Sequence, residues 1–209
     1  MKNLRKILSN FTKEDYQNNL VNLHIHTTCS DGEGDYNQIV ESAKQKGYKL
    51  IAITDHNTIE AHKNIQDEIL LTGVEFDCWF GYVFIHLIAY GIDINHPALL
   101  PFLAKNKAET EAVVLRLFSK RNVKDLIGAI HQAGGIAVLA HPACYWALSL
   151  KNLVNNLIKI GLDGIETYYP YPRFRKIVKF HTAKDVLKIA EKYPQLIKTG
   201  GTDFHGKIF

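Results

Sequence analysis

Seven short apolar runs, separated mostly by helix-like stretches, set the tightest limit on what this chain can fold into. They are 21–25 (VNLHI), 50–54 (LIAIT), 72–76 (TGVEF), 82–88 (YVFIHLI), 136–140 (IAVLA), 164–168 (GIETY) and 196–200 (LIKTG). Most are continuous rather than alternating, the pattern of strands buried on both faces of a parallel sheet. Between them, residues 36–46 place Ile39, Val40 and Ala43 on one helical face and stop at Gly47. Residues 149–160 open on Ser149 and stop at Gly161, and 122–133 run into Gly134-Gly135. A polar first cap and a closing glycine mark helix ends. Strand and helix in regular order predict an α/β fold, either a barrel or an open sheet.

One connection breaks the order. Residues 77–81 alone separate the third and fourth runs, whereas a parallel crossover needs about a dozen residues or more. The fourth strand is therefore expected to be antiparallel or displaced. A distorted seven-stranded, TIM-like (β/α) barrel fits this better than a regular eightfold one. Residues 1–20 read as an N-terminal extension and 21–209 as a single domain, with 96–121 forming one or two helices packed outside the barrel. With 209 residues, 46% of them hydrophobic and 22% charged, the chain can build one well-packed core.

The remaining composition narrows the setting. A net charge of +4 tolerates an anionic substrate without arguing for a nucleic-acid surface. Cys29, Cys78 and Cys144 lie far apart with no CxxC pair, which points to a reducing compartment. The N-terminus has no apolar core for a signal peptide, and no apolar run approaches the ~20 residues that span a bilayer. The expectation is a cytoplasmic protein with no membrane contact and no evident protein partner.

Chemistry collects at the C-terminal ends of strands in α/β folds. Here the first run ends in His24-Ile25-His26, with Asp31 close behind, and the second leads to His56. The third ends at Glu75, the fifth at His141, and the seventh runs into Asp203-Phe204-His205. His-x-His puts two imidazoles on one side of an extended segment, and Asp203-x-His205 repeats that geometry with a carboxylate. Mixed imidazole and carboxylate ligands suit zinc, manganese or iron. So many ligands exceed what one ion uses and predict two or three divalent ions, with Glu75 and Asp203 as bridging candidates. Such clusters activate water and clamp phosphoryl oxygens. No G-x-S-x-G elbow and no Walker A loop is present, which removes serine-hydrolase and P-loop readings.

At these residues the sequence resembles the PHP (polymerase and histidinol phosphatase) superfamily. The matching motifs are His24-Ile-His26-Thr-Thr-Cys-Ser-Asp31-Gly, Thr54-Asp-His56-Asn-Thr, Gly73-Val-Glu75, His86, Ala140-His141-Pro and Gly201-Thr-Asp203-Phe-His205-Gly. The resemblance implies a distorted seven-stranded barrel with a trinuclear site at the strand ends, held by His24, His26, Asp31, His56, Glu75, His86, His141, Asp203 and His205. His86 joins that set by the resemblance, since it stands inside an apolar run where a core histidine also fits. The implied activity is a metal-dependent phosphoesterase, closest to the stand-alone enzymes acting on nucleoside 3′,5′-bisphosphates or on the 5′ ends of short oligonucleotides. A metal-bound hydroxide would attack phosphorus, with His141 or His205 assisting the leaving group. Histidinol phosphate is the alternative substrate, and a non-catalytic metal-binding module is the alternative class. An amidohydrolase fits the Ser30-Asp31-Gly and Asp203-Phe-His205 patterns poorly. The stretch between His86 and His141 is short for this family, and the chain ends soon after His205. Both features predict a minimal or C-terminally truncated version with a small or missing lid.

Beyond these ligands, Asp55 is expected to orient a histidine rather than to bind metal. Arg173, in the Tyr168–Lys176 segment after the sixth run, is the expected contact for a substrate phosphate, and a tyrosine there could stack on a base. His62, His96, His131 and His181 read as structural or exposed, and Cys29 and Cys144 as small packing residues.

Overall fold

The computed structural model describes residues 2–118, 120–171 and 180–209. The chain opens with helices α1 (Lys2–Ser9) and α2 (Lys13–Gln17), the second started by a reciprocal cap between Thr12 and Asp15. Then come β1 (Val21–Ile25), α3 (Tyr36–Gln45), β2 (Leu50–Ile53), α4 (Glu60–Asn64), β3 (Leu70–Phe80) and β4 (Val83–Tyr90). A 3-10 turn (Pro97–Phe102) and helices α5 (Ala108–Glu111) and α6 (Val113–Leu117) lead to α7 (Val123–Gln132) and β5 (Ile136–Leu139). The last elements are α8 (Leu150–Lys159), β6 (Gly164–Tyr168), α9 (Ala183–Lys192) and β7 (Ile197–Gly200).

The strands form one seven-stranded sheet in sequential order. Within it β1–β3 run parallel, β5–β7 run parallel, and β4 is antiparallel to both its neighbours. The sheet curls until the segment after β7 meets β1. There His26 N donates to Phe204 O at 2.8 Å, and Phe204 N donates to His24 O at 3.1 Å. Gly201 permits that approach, because a Cβ on it would lie 2.4 Å from His24 Cβ.

The expected antiparallel fourth strand is present, but its connection is tighter than the apolar runs implied. β3 continues to Phe80, and Gly81-Tyr82 alone turns the chain, with Gly81 at φ 62°. The run seemed to stop at Phe76 because Asp77 interrupts it. Asp77 occupies the interior face two residues beyond Glu75, while Phe76 and Cys78 pack outward, so the strand period never breaks.

The Ser149 cap falls where the sequence placed it, accepting a backbone N–H at the start of α8, and Asp35 and Asn122 do the same for α3 and α7. The region 96–121 differs from its expectation. It is broken into a 3-10 turn and two one-turn helices, and α6 sends Arg116 inward to the centre of the molecule rather than packing outside the sheet. Pro101 and the lack of side-chain caps on α5 and α6 keep this stretch from forming one helix.

Three packed regions position the site. Outside the sheet, Phe76, Ile85, Leu87, Leu139 and Ile165 meet α7, α8 and α9. On the opposite flank Ile25, Ile51 and Ile53 meet α3 and α4. Inside the curl, Leu23, Ala52, Ile88, Tyr90, Val138 and Ile197 close around Leu8 of α1. A fully buried leucine contributes about 1.5–3 kcal/mol, and Arg5 ties the same helix down by pairing with Asp163 at 2.5 Å.

β1 then changes face. Its register with β2 slips by one residue between Asn22 and Ile25, a bulge of the kind found beside active sites. Val21 and Leu23 therefore line the apolar floor, and His24 and His26 line the interior above it. No helix among the described residues is long and apolar enough to cross a membrane.

Candidate metal centre

Above the apolar floor, the interior is filled by imidazoles and carboxylates. Every strand, or the loop leaving it, supplies at least one. Asp203 reaches inward from a left-handed backbone position, φ 52°, in the loop leaving β7. His24 Nε2 lies 3.2 Å from Glu75 Oε2 and 3.4 Å from Asp203 Oδ1. His26 Nε2 lies 3.3 Å and 3.1 Å from the same two oxygens. Asp31 draws in His205 Nε2 at 3.2 Å and His56 Nε2 at 3.7 Å. Glu75 Oε1 meets His86 Nδ1 at 3.0 Å and His141 Nε2 at 3.1 Å.

Four sets of side chains bring possible ligand atoms within 4.8 Å of one another. They are His24–His26–Glu75–Asp203, His26–Asp31–His56–His205, Glu75–His86–His141 and His56–Asp77–His86. All nine residues singled out in the sequence are thus brought together. Asp77 is the addition, its Oδ1 3.1 Å from His86 Nε2 and 3.5 Å from His56 Nδ1.

The donor set fits divalent cations. Among the described residues, His24 Nε2, His26 Nε2, His56 Nδ1 and Glu75 Oε2 are buried and make ion-pair contacts but no hydrogen bond. Buried polar atoms are rarely left so, and imidazole nitrogen with carboxylate oxygen is what zinc, manganese and iron take.

In the protein alone, the carboxylates carry the imidazoles as their counter-charges. Burial pushes His26 down, but Asp203 and Glu75 outweigh it and hold it up at about 9. Burial opposes His141 likewise, and its partners, Glu75 among them, raise it to about 10. Glu75 is pushed up by burial yet held well below the usual carboxylate range by His24, His86 and His141. Asp203 behaves the same way against His24 and His26. Asp77 is the exception: burial, with Glu75 adding to it, keeps its carboxyl raised. Bound cations would replace these protons and leave the imidazoles neutral, as ligation requires.

A family model for the PHP domain matches residues 22–201. The chain belongs to the PHP domain family. It is 24% identical to a phosphoribosyl 1,2-cyclic phosphate 1,2-diphosphodiesterase of Eggerthella lenta, over 89% of this chain and 94% of that one. That alignment runs over 262 positions, more than the 209 residues here, so the relative carries segments this chain lacks. It is 35% identical to the 5′-3′ exoribonuclease Rnm of Salmonella typhimurium, over 57% of this chain and 45% of that one. It is also 30% identical to a 3′,5′-nucleoside bisphosphate phosphatase of Chromobacterium violaceum, over 68% and 50%. The chain spans about half the length of the last two. In fold it resembles a Chromobacterium violaceum structure described as an amidohydrolase with bound sulfate and no metal. The TM-score is 0.70 at 21% identity, over 90% of this chain and 88% of that one.

Several residues of this PHP domain's centre escaped the sequence reading. Glu166, fully buried on β6, meets His24 Nδ1 at 3.1 Å through Oε1 and accepts from His141 N at 2.7 Å through Oε2. A carboxylate only accepts, so it keeps a proton on His24 Nδ1 and turns Nε2 to the cluster, where a bound cation would take that nitrogen's lone pair. The sixth strand looked empty of ligands, yet Glu166 stands near its end as the ligands do on their strands. Asn57, at φ 56°, donates to Asp77 Oδ2, and Asp77 N donates back to Asn57 Oδ1 at 3.0 Å. Tyr169 donates to Asp203 Oδ2 at 3.1 Å, its hydroxyl pKa raised by burial and by that carboxylate.

Asp55 acts one step further out than expected. Its oxygens accept from Thr27 N at 2.7 Å, Thr27 Oγ1 at 2.7 Å and Ser30 Oγ at 2.6 Å. It therefore fixes the loop between His26 and Asp31 and reaches the His26 ring through Ser30, whose Oγ stands 3.5 Å from Nδ1. His62, His96, His131 and His181 make structural contacts away from the cluster. Arg173 lies outside the described residues. The ligand side chains open into a cavity of about 620 Å³, whose mouth is edged by Trp79, Tyr82, Trp146 and Tyr169.

Proposed function

We propose that this protein is a metal-dependent phosphoesterase that hydrolyses a phosphate ester of a nucleotide or short oligonucleotide. The convergence of the nine sequence-predicted ligands, joined by Asp77, in one buried cluster of imidazoles and carboxylates carries this reading. In it, the curled sheet is a distorted barrel of residues 21–209 with its metals at the C-terminal ends of the parallel strands. The four ligand sets accommodate two or three ions of manganese, zinc or iron. Bound there, such ions polarise a phosphate ester and lower the pKa of the attacking water.

The chain's own groups do the rest. Water adds across the P–O bond: its oxygen joins phosphorus, and the leaving oxygen takes a proton. His141 and His205 both line the cavity, and whichever of them holds no cation can deliver that proton. His205 is the more accessible, its side chain 39% exposed against 9% for His141. Glu166 and Asp55 hold the ligand-bearing segments in register before substrate arrives. The relatives named as a cyclic phosphate diesterase, an exoribonuclease and a nucleoside bisphosphate phosphatase all support a phosphate ester on a ribose-bearing molecule.

Phosphate and nucleotide release by the manganese-loaded protein tests this reading on adenosine 3′,5′-bisphosphate, a 5′-phosphorylated short RNA and histidinol phosphate. Turnover of a nucleotide substrate that disappears in His141→Ala is expected. No turnover in protein shown to hold its metals would refute it, and preference for histidinol phosphate would move the substrate assignment.

A further inference from the structure

α6 is a short helix with most of its apolar side chains facing solvent. Val113, Val114, Leu115 and Leu117 are all exposed, and Arg116 is the residue turned inward. The Arg116 side chain is only 7% exposed. Its Nη2 pairs with Asp31 Oδ2 at 3.2 Å, and its Nε stands 4.0 Å from Asp77 Oδ2. Nε and Nη1 are buried and make no hydrogen bond among the described residues. A buried donor without an acceptor costs about 1–3 kcal/mol, so the guanidinium favours a further acceptor placed beside it.

The position says what that acceptor is. Arg116 shares the wall of the metal-centre cavity with Glu75, His86, His141, Asp203 and His205. On its other side it lines a second cavity, of about 700 Å³, together with Lys105, Lys120 and Arg121. Its protein partner, Asp31, is itself one of the ligand residues. An Asp31 that serves as a ligand shares its charge elsewhere and leaves the guanidinium fork to a second anion. A planar fork of donors matches the oxygens of a phosphoryl group.

We propose that Arg116 binds the reacting phosphate of the substrate, donating from its guanidinium to non-bridging phosphoryl oxygens beside the ligand cluster. This rests on the phosphoesterase reading and assigns to α6 the phosphate contact that the sequence had placed at Arg173. Charge on those oxygens grows as the P–O bond breaks, so the contact acts on kcat as well as on binding.

Three measurements on the metal-loaded protein test it: steady-state kinetics on the preferred phosphate ester, calorimetric titration with inorganic phosphate, and metal content per chain. Arg116→Gln is expected to lose about 10²–10³-fold in kcat/KM and at least about tenfold in phosphate affinity, with metal content unchanged. Added guanidinium, but not ammonium, should restore part of the activity. Arg116→Lys keeps the charge without the fork and should still fall by about tenfold. It decides the matter if the glutamine variant fails to fold. Wild-type phosphate affinity in either folded variant would overturn the assignment, as would an activity loss that only tracks lost metal. An inactive wild type would sink the phosphoesterase reading instead, and the phosphate titration would still judge Arg116.

Discussion

Glu166→Gln changes one oxygen to an NH2 and leaves the volume alone, yet it should cripple the metal centre. In the native protein, Oε1 takes the Nδ1 proton of His24 and Oε2 takes the backbone proton of His141, at 3.1 and 2.7 Å. Glutamine has a single acceptor and cannot serve both. If its oxygen stays with His141 N, the NH2 faces His24 Nδ1, and the ring must carry its proton on Nε2, the atom aimed at Glu75 and Asp203. If it stays with His24, the NH2 opposes the His141 amide, donor against donor. In the first case the bond to His24 survives with its direction reversed but the ligand atom is lost, and in the second a buried hydrogen bond is lost. Partners of this kind are worth about 10–100-fold in metal affinity, or about 1.4–2.8 kcal/mol. Competition with a fluorescent chelator would measure it, with circular dichroism confirming that the variant is folded. Binding within twofold of wild type would show that Glu166 does not set the His24 tautomer.

Three further outcomes follow from the same geometry. Asp77→Asn should weaken one metal equivalent by about tenfold or more, by the same argument from ligand and partner loss, while the others remain. Stoichiometry by mass spectrometry of the native protein would read this, and an unchanged count at limiting metal would remove Asp77 from the ligand set. In chelator-treated protein, His26 and His141 are held above their ordinary 6.5, at about 9 and about 10. The stability they contribute is complete below about pH 6.5 and is lost as pH rises through about 9–10. The melting temperature of the metal-free protein should therefore fall across that window, metal binding should release protons, and a flat profile would contradict the pairing. Leu8→Ala should cost about 2–5 kcal/mol by opening the floor of the interior, read as a lower urea midpoint. A loss under about 1 kcal/mol would mean that α1 does not plug the sheet.

The sequence showed where chemistry would gather because its strands end in ligands, and in a parallel sheet those ends converge. His24, His26, His56, His141, Asp203 and His205 were legible for that reason, and the structure brings them into one cavity wall and interior. Asp77 was not, because a carboxylate in the middle of FDCWF reads as the end of a strand. The unbroken strand period from Glu75 and the pairing of Asp77 opposite His86 show that it faces inward. Glu166 was hidden differently. Its role is a pair of hydrogen bonds to two distant segments, and no spacing in the chain encodes that. Arg116 lay in a stretch whose helical pattern is weak, so nothing local distinguished its inward turn from the exposed residues around it.

His86 shows how topology decides such cases. Read by itself it sits inside an apolar run, Tyr-Val-Phe-Ile-His-Leu-Ile, where a satisfied core histidine would do as well. The rule that ligands stand at strand ends holds for parallel strands. β4 is antiparallel to both its neighbours, so its beginning lies beside the ends of β3 and β5. His86 is the fourth residue of β4, level with Asp77 on one side and just below His141 on the other. The Ala140 amide donates to the His86 carbonyl at 3.1 Å, which sets His141 one residue further on. The apolar residues that follow, Leu87 to Tyr90, descend from the centre into the packed interior and outer core. A histidine near the start of that run is thus in the same layer as those at the ends of the others. The two-residue turn at Gly81-Tyr82 is what makes this so. A crossover in its place would have carried the chain back to the far end of the sheet and put His86 among the floor residues around Leu8.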